Sequence, residues 1–241
     1  MSDPASYGDT WAPIYDEIHA HLDPTAAVEV LAGLAGTGRA LELGIGTGRV
    51  AIPLAARGVP VHGIEASQAM LDRMHAKPGG GDVRVTLGDF TDVAVDGEFA
   101  LIYVVVSTLY GLLTQSAQVA CVRNAAARLA PRGVFVFEGF VPDPARFDAN
   151  QRVQVNRIEP TRLDLVFTRH DPVHQRLLGQ HAIVGPQGMQ LFPVELRYVW
   201  PSELDLMAQL AGLRLRERWG DWRRGPYTGS GGHISIYERA S

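Results

Sequence analysis

Cys121 is the only cysteine in this 241-residue chain, so a disulfide framework and a cysteine-bound zinc site are both excluded. Lysine is equally scarce: Lys77 stands alone among 22 basic residues, arginine supplying the rest. That is read as compositional bias and carries no function. Neither sign of charge dominates, and a net charge of -4 argues against a general electrostatic grip on nucleic acid or an anionic membrane. No apolar run reaches the ~18 residues of a bilayer-spanning helix. The opening Met1-Ser2-Asp3-Pro4 lacks a basic stretch followed by an apolar one, so no secretory signal is expected. What is present is ordinary for a globular chain, with 46% hydrophobic and 20% charged residues. Surface scaling gives about 10,600 Å² exposed when folded against about 38,000 Å² unfolded, enough burial for a core without staples. The expectation is a soluble, cytoplasmic protein forming one domain over residues 1–241.

Apolar positions at helical spacing over 26–35 end at Gly36-Thr37-Gly38, a glycine stop. Residues 39–43 read as a short buried strand running into Gly44-Ile45-Gly46-Thr47-Gly48. A helix follows from Arg49 toward Gly58, with Pro53 in its first turns, where a missing N–H costs least. A second strand over 59–64 ends at Glu65, and Ser67 can cap a helix carrying Met70, Leu71 and Met74 on one face. Residues 83–87 make a third strand closed by Gly88-Asp89-Phe90. The run 99–106 has the pattern of a strand covered on both faces. A helix over 115–129 and a strand over 134–138 follow. This alternation predicts an α/β fold with a mainly parallel sheet.

After Pro142 the rhythm changes. Four β-like runs, 153–158, 163–170, 177–184 and 190–199, are separated by Glu159-Pro160, Asp171-Pro172 and Gly185-Pro186-Gln187-Gly188. They predict an antiparallel meander over 150–198, inserted in the parallel domain. A helix over 202–210, with Ser202 as cap and Asp205 at N3, and strands over 213–219 and 233–237 close the chain.

The glycine loop between strand and helix carries the clearest chemistry. Glycines let the backbone turn tightly and let a ligand approach it, and the helix behind offers oriented N–H groups. Alone, such a loop serves equally as a plain turn. Glu65 lies where a second-strand acid accepts from ribose hydroxyls, and Asp89-Phe90 lies where an adenine edge would sit. Their bland uses are capping a helix and stabilising a turn. A nicotinamide fingerprint, Gly-x-Gly-x-x-Gly, fails in both registers, at Arg49 and at Ala51.

With Glu42 two residues before Gly44 and the spacing Gly-x-Gly-x-Gly, the chain resembles the class I S-adenosylmethionine-dependent methyltransferases. The resemblance implies a Rossmann-like fold with a mainly parallel seven-stranded sheet. It implies that Glu42 approaches the methionine amino group, that Gly44, Gly46 and Gly48 line the loop, and that Glu65 binds ribose. Asp89 and Phe90 fall at the family's adenine contact, and the 63–71 run, with Ala66 and Met70, matches the pattern after its second strand. Val104 and Val105, ending the fourth strand, complete the expected donor site. Tyr7 and Tyr15, Ser107-Thr108, Glu138 and the inserted sheet resemble the sugar-nucleotide N,N-dimethyltransferases of antibiotic pathways. Tyr110-Gly111 and residues 138–142 depart from that subgroup, which puts an amino-sugar acceptor in question.

The implied reaction moves the sulfonium methyl of S-adenosylmethionine to a nitrogen or oxygen of a small molecule, leaving S-adenosylhomocysteine. Glu138 is the first candidate for the acceptor-side base and His181 the second. Trp11, Ser107, Tyr110, Phe140 and Arg197 are the expected acceptor contacts. Trp219, Trp222 and Tyr227 either wall that pocket or belong to the core. His170, His174 and His181 lack compact metal-ligand spacing, so no metal is expected. Residues 150–198 are read as a lid or wall that selects the acceptor, with a homodimer contact as the alternative use. A nicotinamide oxidoreductase and a non-catalytic S-adenosylmethionine-binding protein remain the competing functions.

Overall fold

The computed structural model describes residues 3–240. Two short helices, α1 (Ser6–Trp11) and α2 (Tyr15–Ile18), precede α3 (Thr25–Ala35). Strands and helices then alternate through β1 (Ala40–Leu43), α4 (Ala51–Ala56), β2 (Val61–Glu65), α5 (Gln68–His75), β3 (Arg84–Leu87), β4 (Phe99–Val104), α6 (Gln115–Ala127) and β5 (Leu129–Phe140). Four hairpin-linked strands follow: β6 (Gln151–Glu159), β7 (Arg162–Asp171), β8 (Arg176–Gly185) and β9 (Gly188–Arg197). The chain closes with α7 (Pro201–Leu210), β10 (Leu213–Trp219) and β11 (Gly232–Arg239).

The first sheet has seven strands in the order β10-β11-β5-β4-β1-β2-β3. The pairs among β1 to β5 are parallel, while β11 runs antiparallel to both β5 and β10. Strand order reverses between β1 and β4, and open α/β sheets bind ligands at the carboxyl ends flanking such a reversal. Both faces are covered. Leu43, Ile102, Val104 and Phe135 pack with α6 and α7, whereas Ala40, Leu101, Tyr103 and Val136 pack toward α3, α4 and α5. All four residues of β1 are buried, and each large apolar side chain so enclosed contributes about 1.5–3 kcal/mol.

Three local features differ from the sequence reading. The N-cap of α7 is Trp200, in extended backbone, and Pro201 fills the first helical position. Ser202 therefore falls inside the first turn and caps nothing. Strand β5 begins at Leu129, because Leu129 pairs with Phe99 and Pro131 to Gly133 bulge out before Leu101 meets Val134. Strand β4 stops at Val104, since Val106 and Ser107 take φ of 53° and 61° and turn the chain off the sheet.

The second sheet, β6-β7-β8-β9, is antiparallel throughout, as its turn signals predict. Its register puts Thr168, His170, Leu177, His181, Phe192 and Leu196 on one face, toward α1, α2 and the strand tips of the first sheet. The opposite face carries Val153, Val155, Phe167 and Leu191.

Candidate active site

Gly44, Gly46 and Gly48 all have positive φ, 70°, 56° and 78°. That backbone suits glycine, and at Gly44 space is short as well, since a Cβ would lie 2.5 Å from Thr108 Cγ2. The loop is fastened beneath by Gly44 and Ile45, whose N–H groups both donate to the Ile64 carbonyl. Glu65 fastens it above. Its Oε2 accepts from Gly46 N–H at 2.9 Å, and its Oε1 accepts from Ala66 and Ser67 N–H, each at 3.0 Å. Burial raises the Glu65 carboxyl above its ordinary range, against the pull of those three N–H groups. Oε1 is then filled, while Oε2 keeps one lone-pair site for a further donor. Ser67 caps α5 as expected, accepting from Met70 N–H.

Glu42 is 3% exposed and accepts from the Tyr103 hydroxyl at 2.9 Å. Burial pushes its carboxyl up to about 8, while the Tyr103 bond and nearby Arg49 pull the other way. Glu42 and Arg49 line a cavity of only about 20 Å³ with Tyr15, Gly44, Ile45, Thr47, Val105, Val106 and Thr108. Arg49 and Thr108 were missed as site residues. The sequence reading uses Arg49 as a helix start and as a failed fingerprint glycine, although a cation opposite a buried acid beside a glycine loop is a usable signal.

The helices α1 and α2 form a strap over this loop. Tyr7 stacks on Trp11 at 5.7 Å between ring centroids, and its hydroxyl is raised by burial and by the neighbouring Tyr15 and Glu65. The Tyr15 hydroxyl is pushed up to about 12, chiefly by burial. Asp16 accepts from Thr47 Oγ1 at 2.6 Å and from Lys77 Nζ at 2.8 Å. Burial opposes its charge, but these bonds hold the Asp16 carboxyl below its ordinary range.

A larger cavity of about 770 Å³ lies between the second sheet and the tip of β5. Phe140, Val141, Phe147, Arg152, Thr168, His170, Leu177, Tyr198 and the Gly229-Ser230-Gly231 turn line it. Ser107, one residue from the donor cavity wall, accepts from Phe140 N–H on its Oγ at 3.3 Å, so the two cavities flank one turn.

Other expected contacts are placed elsewhere. Tyr110 is fully buried, and its hydroxyl donates to the carbonyls of Phe140 and Val199. Arg197 is 6% exposed, its guanidinium occupied by Gln118, Gln175 and Glu203 where β9 meets α7. Trp11 is buried against Phe192 and His181 and donates to Pro193 O at 2.9 Å, joining the strap to the second sheet. None of the three is free to receive an acceptor. Met70 sits beneath α1 and Val104 inside the sheet core. Asp89 Oδ1 accepts from Thr91 N–H, a turn-stabilising use, while the Phe90 ring lies against Gly44.

The two base candidates are also accounted for. Glu138 accepts from Val106 N–H at 2.9 Å and from Trp222 Nε1–H at 2.8 Å, which makes it a clamp on the turn after β4. His181 lies edge-on to Trp11, lines neither cavity, and is held below its ordinary pKa by burial.

Residues 40–133 match a family described as a methyltransferase domain, the stretch from β1 to the bulge in β5. The chain is 38% identical to the CcbJ methyltransferase from Streptomyces caelestis, with 99% of this chain and 100% of that one covered and a TM-score of 0.94. It is 29% identical over 234 residues to the cypemycin N-terminal methyltransferase of a Streptomyces species, 95% of each chain being covered. The solved structure of CalS10, an amino pentose methyltransferase from Micromonospora echinaspora with S-adenosylmethionine bound, shares the fold at 23% identity. There the TM-score is 0.71, over 94% of this chain and 97% of that one.

Proposed function

The chain belongs to the class I S-adenosylmethionine-dependent methyltransferases, and on that premise we propose that it methylates a nitrogen or oxygen of a small molecule in secondary metabolism. The observation that carries this reading is the shared turn. A donor site built on Glu42, Gly44 to Gly48, Glu65 and Tyr15 adjoins a cavity of about 770 Å³ across Val105 to Thr108. That volume is within the ordinary range for a small-molecule pocket. Nitrogen is favoured over oxygen, because the cypemycin enzyme, similar over 95% of the chain, is named for an N-terminal acceptor.

The residues fit the donor. Glycine backbone allows close approach, the buried Glu42 carboxyl suits an ammonium, Arg49 suits a carboxylate, and Glu65 Oε2 has one lone-pair site left for a hydroxyl. When bound, the donor supplies an already electrophilic methyl group. The protein's part is then to hold two molecules in line and exclude water, which can supply roughly 7–11 kcal/mol. Phe140 and Ser107 stand at the junction of the two cavities and are the proposed acceptor contacts, with the second sheet as the wall. With Glu138 committed to two N–H donors, an amine that attacks as the free base suits the site better than a group needing strong deprotonation.

Residues 1–241 are read as one catalytic domain, acting in the cytoplasm, where the single buried thiol of Cys121 stays reduced. A homodimer is part of the same reading. The test is S-adenosylhomocysteine release, followed by mass spectrometry over a panel of secondary amines, amino-terminal peptides, amino sugars and phenols. Tight donor binding with no turnover across the panel would favour a non-catalytic binder.

A further inference from the structure

Large hydrophobic side chains that stay in water are unevenly distributed over this fold. Among the described residues fourteen are exposed, and seven of them share the outer face of the second sheet. They are Val153, Val155, Ile158, Phe167, Leu178, Met189 and Leu191, with exposures from 37% to 77%. The register makes them contiguous. Val155, Leu165, Ala182 and Leu191 form one cross-strand row, and Ile158, Leu163, Val184 and Met189 form the next. Ala182, between Leu165 and Leu191 in the middle, is only 1% exposed.

We propose that this outer face binds a second copy of the chain, sheet against sheet, while the inner face serves the acceptor cavity. It specifies the surface of the homodimer named above and does not depend on which acceptor is used. The seven side chains expose on the order of 700 Å², more than the roughly 300–600 Å² of the largest patch on a typical monomer. It is also close to the ~800 Å² that each partner gives a standard interface. The patch interior is free of charge, as in homodimer interfaces, with Gln180 its one polar side chain, between Phe167 and Pro193; charge gathers at one end, where Arg169 and Glu195 flank Leu178 and Arg176 pairs with Glu195. Arg169 makes no side-chain hydrogen bond or ion pair among the described residues. A two-fold axis parallel to β8 sets Arg169 of one copy against the Arg176–Glu195 pair of the other, where Glu195 can accept from a second guanidinium, an isologous and closed contact. Flat apolar sheets pack face to face about 10 Å apart with their strands within about 30° of each other.

The experiment is sedimentation of the full chain at micromolar concentration, beside a Val155→Glu/Leu191→Glu variant. The expected result is a wild-type dimer and a variant whose association weakens at least tenfold, with S-adenosylmethionine binding and melting temperature retained. Ile158→Lys and Met189→Lys, at the more exposed positions, carry the same expectation should the double variant fail to fold. A wild-type monomer, or a dimer that survives all three variants, overturns the proposal. So does a wild-type monomer that co-sediments with vesicles of phosphatidylcholine and phosphatidylserine, which would assign the face to a membrane. Acceptor turnover is measured separately, so failure of the dimer and failure of the methyl-transfer reading give different results.

Discussion

Lys77 Nζ lies 2.8 Å from Asp16 Oδ1 and donates as well to the Thr47 carbonyl at 2.9 Å. The chain's only lysine thus ties the α1–α2 strap to the glycine loop, over a cavity too small, at about 20 Å³, for a nucleoside cofactor. A strap acting as the gate would have to lift for the donor to enter, and Lys77 would be one of its fasteners.

Lys77→Met should therefore raise both the association and the dissociation rate of S-adenosylmethionine, with a smaller change in their ratio. Stability should change little, since a partly exposed pair contributes about 0–1 kcal/mol. Stopped-flow fluorescence reporting on Trp11 would follow both rates. Unchanged rates would mean that the strap is not the gate.

Glu42 sets a pH dependence. Its carboxyl titrates near 8 in the folded chain against an ordinary value of 4.5. Between those values the folded state holds a proton that the unfolded state has released. Stability should thus fall as pH rises from about 4.5 to about 8 and level off above. Glu42→Gln should remove this slope, raising the melting temperature at pH 8 by roughly 2–4 °C for each ~1 kcal/mol recovered. The same variant should bind S-adenosylmethionine more weakly, because an ammonium loses its carboxylate. A variant melting no higher than wild type at pH 8 would contradict the burial argument.

Glu65→Ala should weaken donor binding by about 1.5–3 kcal/mol, as expected for hydrogen bonds to a charged group. A carboxylate at a strand tip would ordinarily contribute little to the core. Here three N–H groups lose their acceptor, so a lower melting temperature is expected too. Calorimetric titration beside thermal melting separates the two effects; full affinity in the folded variant would remove Glu65 from the site.

Glu138→Gln tests the clamp against the base. As a clamp, Glu138 should lower kcat at all pH values alike, and Trp222→Phe should produce a related loss by freeing one of its oxygens. As a base, it should remove a limb of the pH–rate profile while Trp222→Phe does little. The profiles of the two variants decide the matter.

Legibility in the sequence followed the range of the forces involved. The parallel sheet, the glycine loop, the Ser67 cap and the four-stranded meander were readable because each rests on local pattern: apolar alternation, positive-φ glycine, a hydroxyl before a helix, proline and glycine turns. Glu42 and Glu65 could be placed at strand ends for the same reason. Side-chain commitment was not readable, since it depends on partners far along the chain. Arg197 turned inward because Gln118 and Glu203 occupy its guanidinium, and Tyr110 because the Phe140 and Val199 carbonyls needed a donor. Glu138 was spent on Val106 and Trp222, 32 and 84 residues away. Alternation in the meander gave each strand two faces, but only tertiary packing decided which face met the strap and cavity and which was left to water.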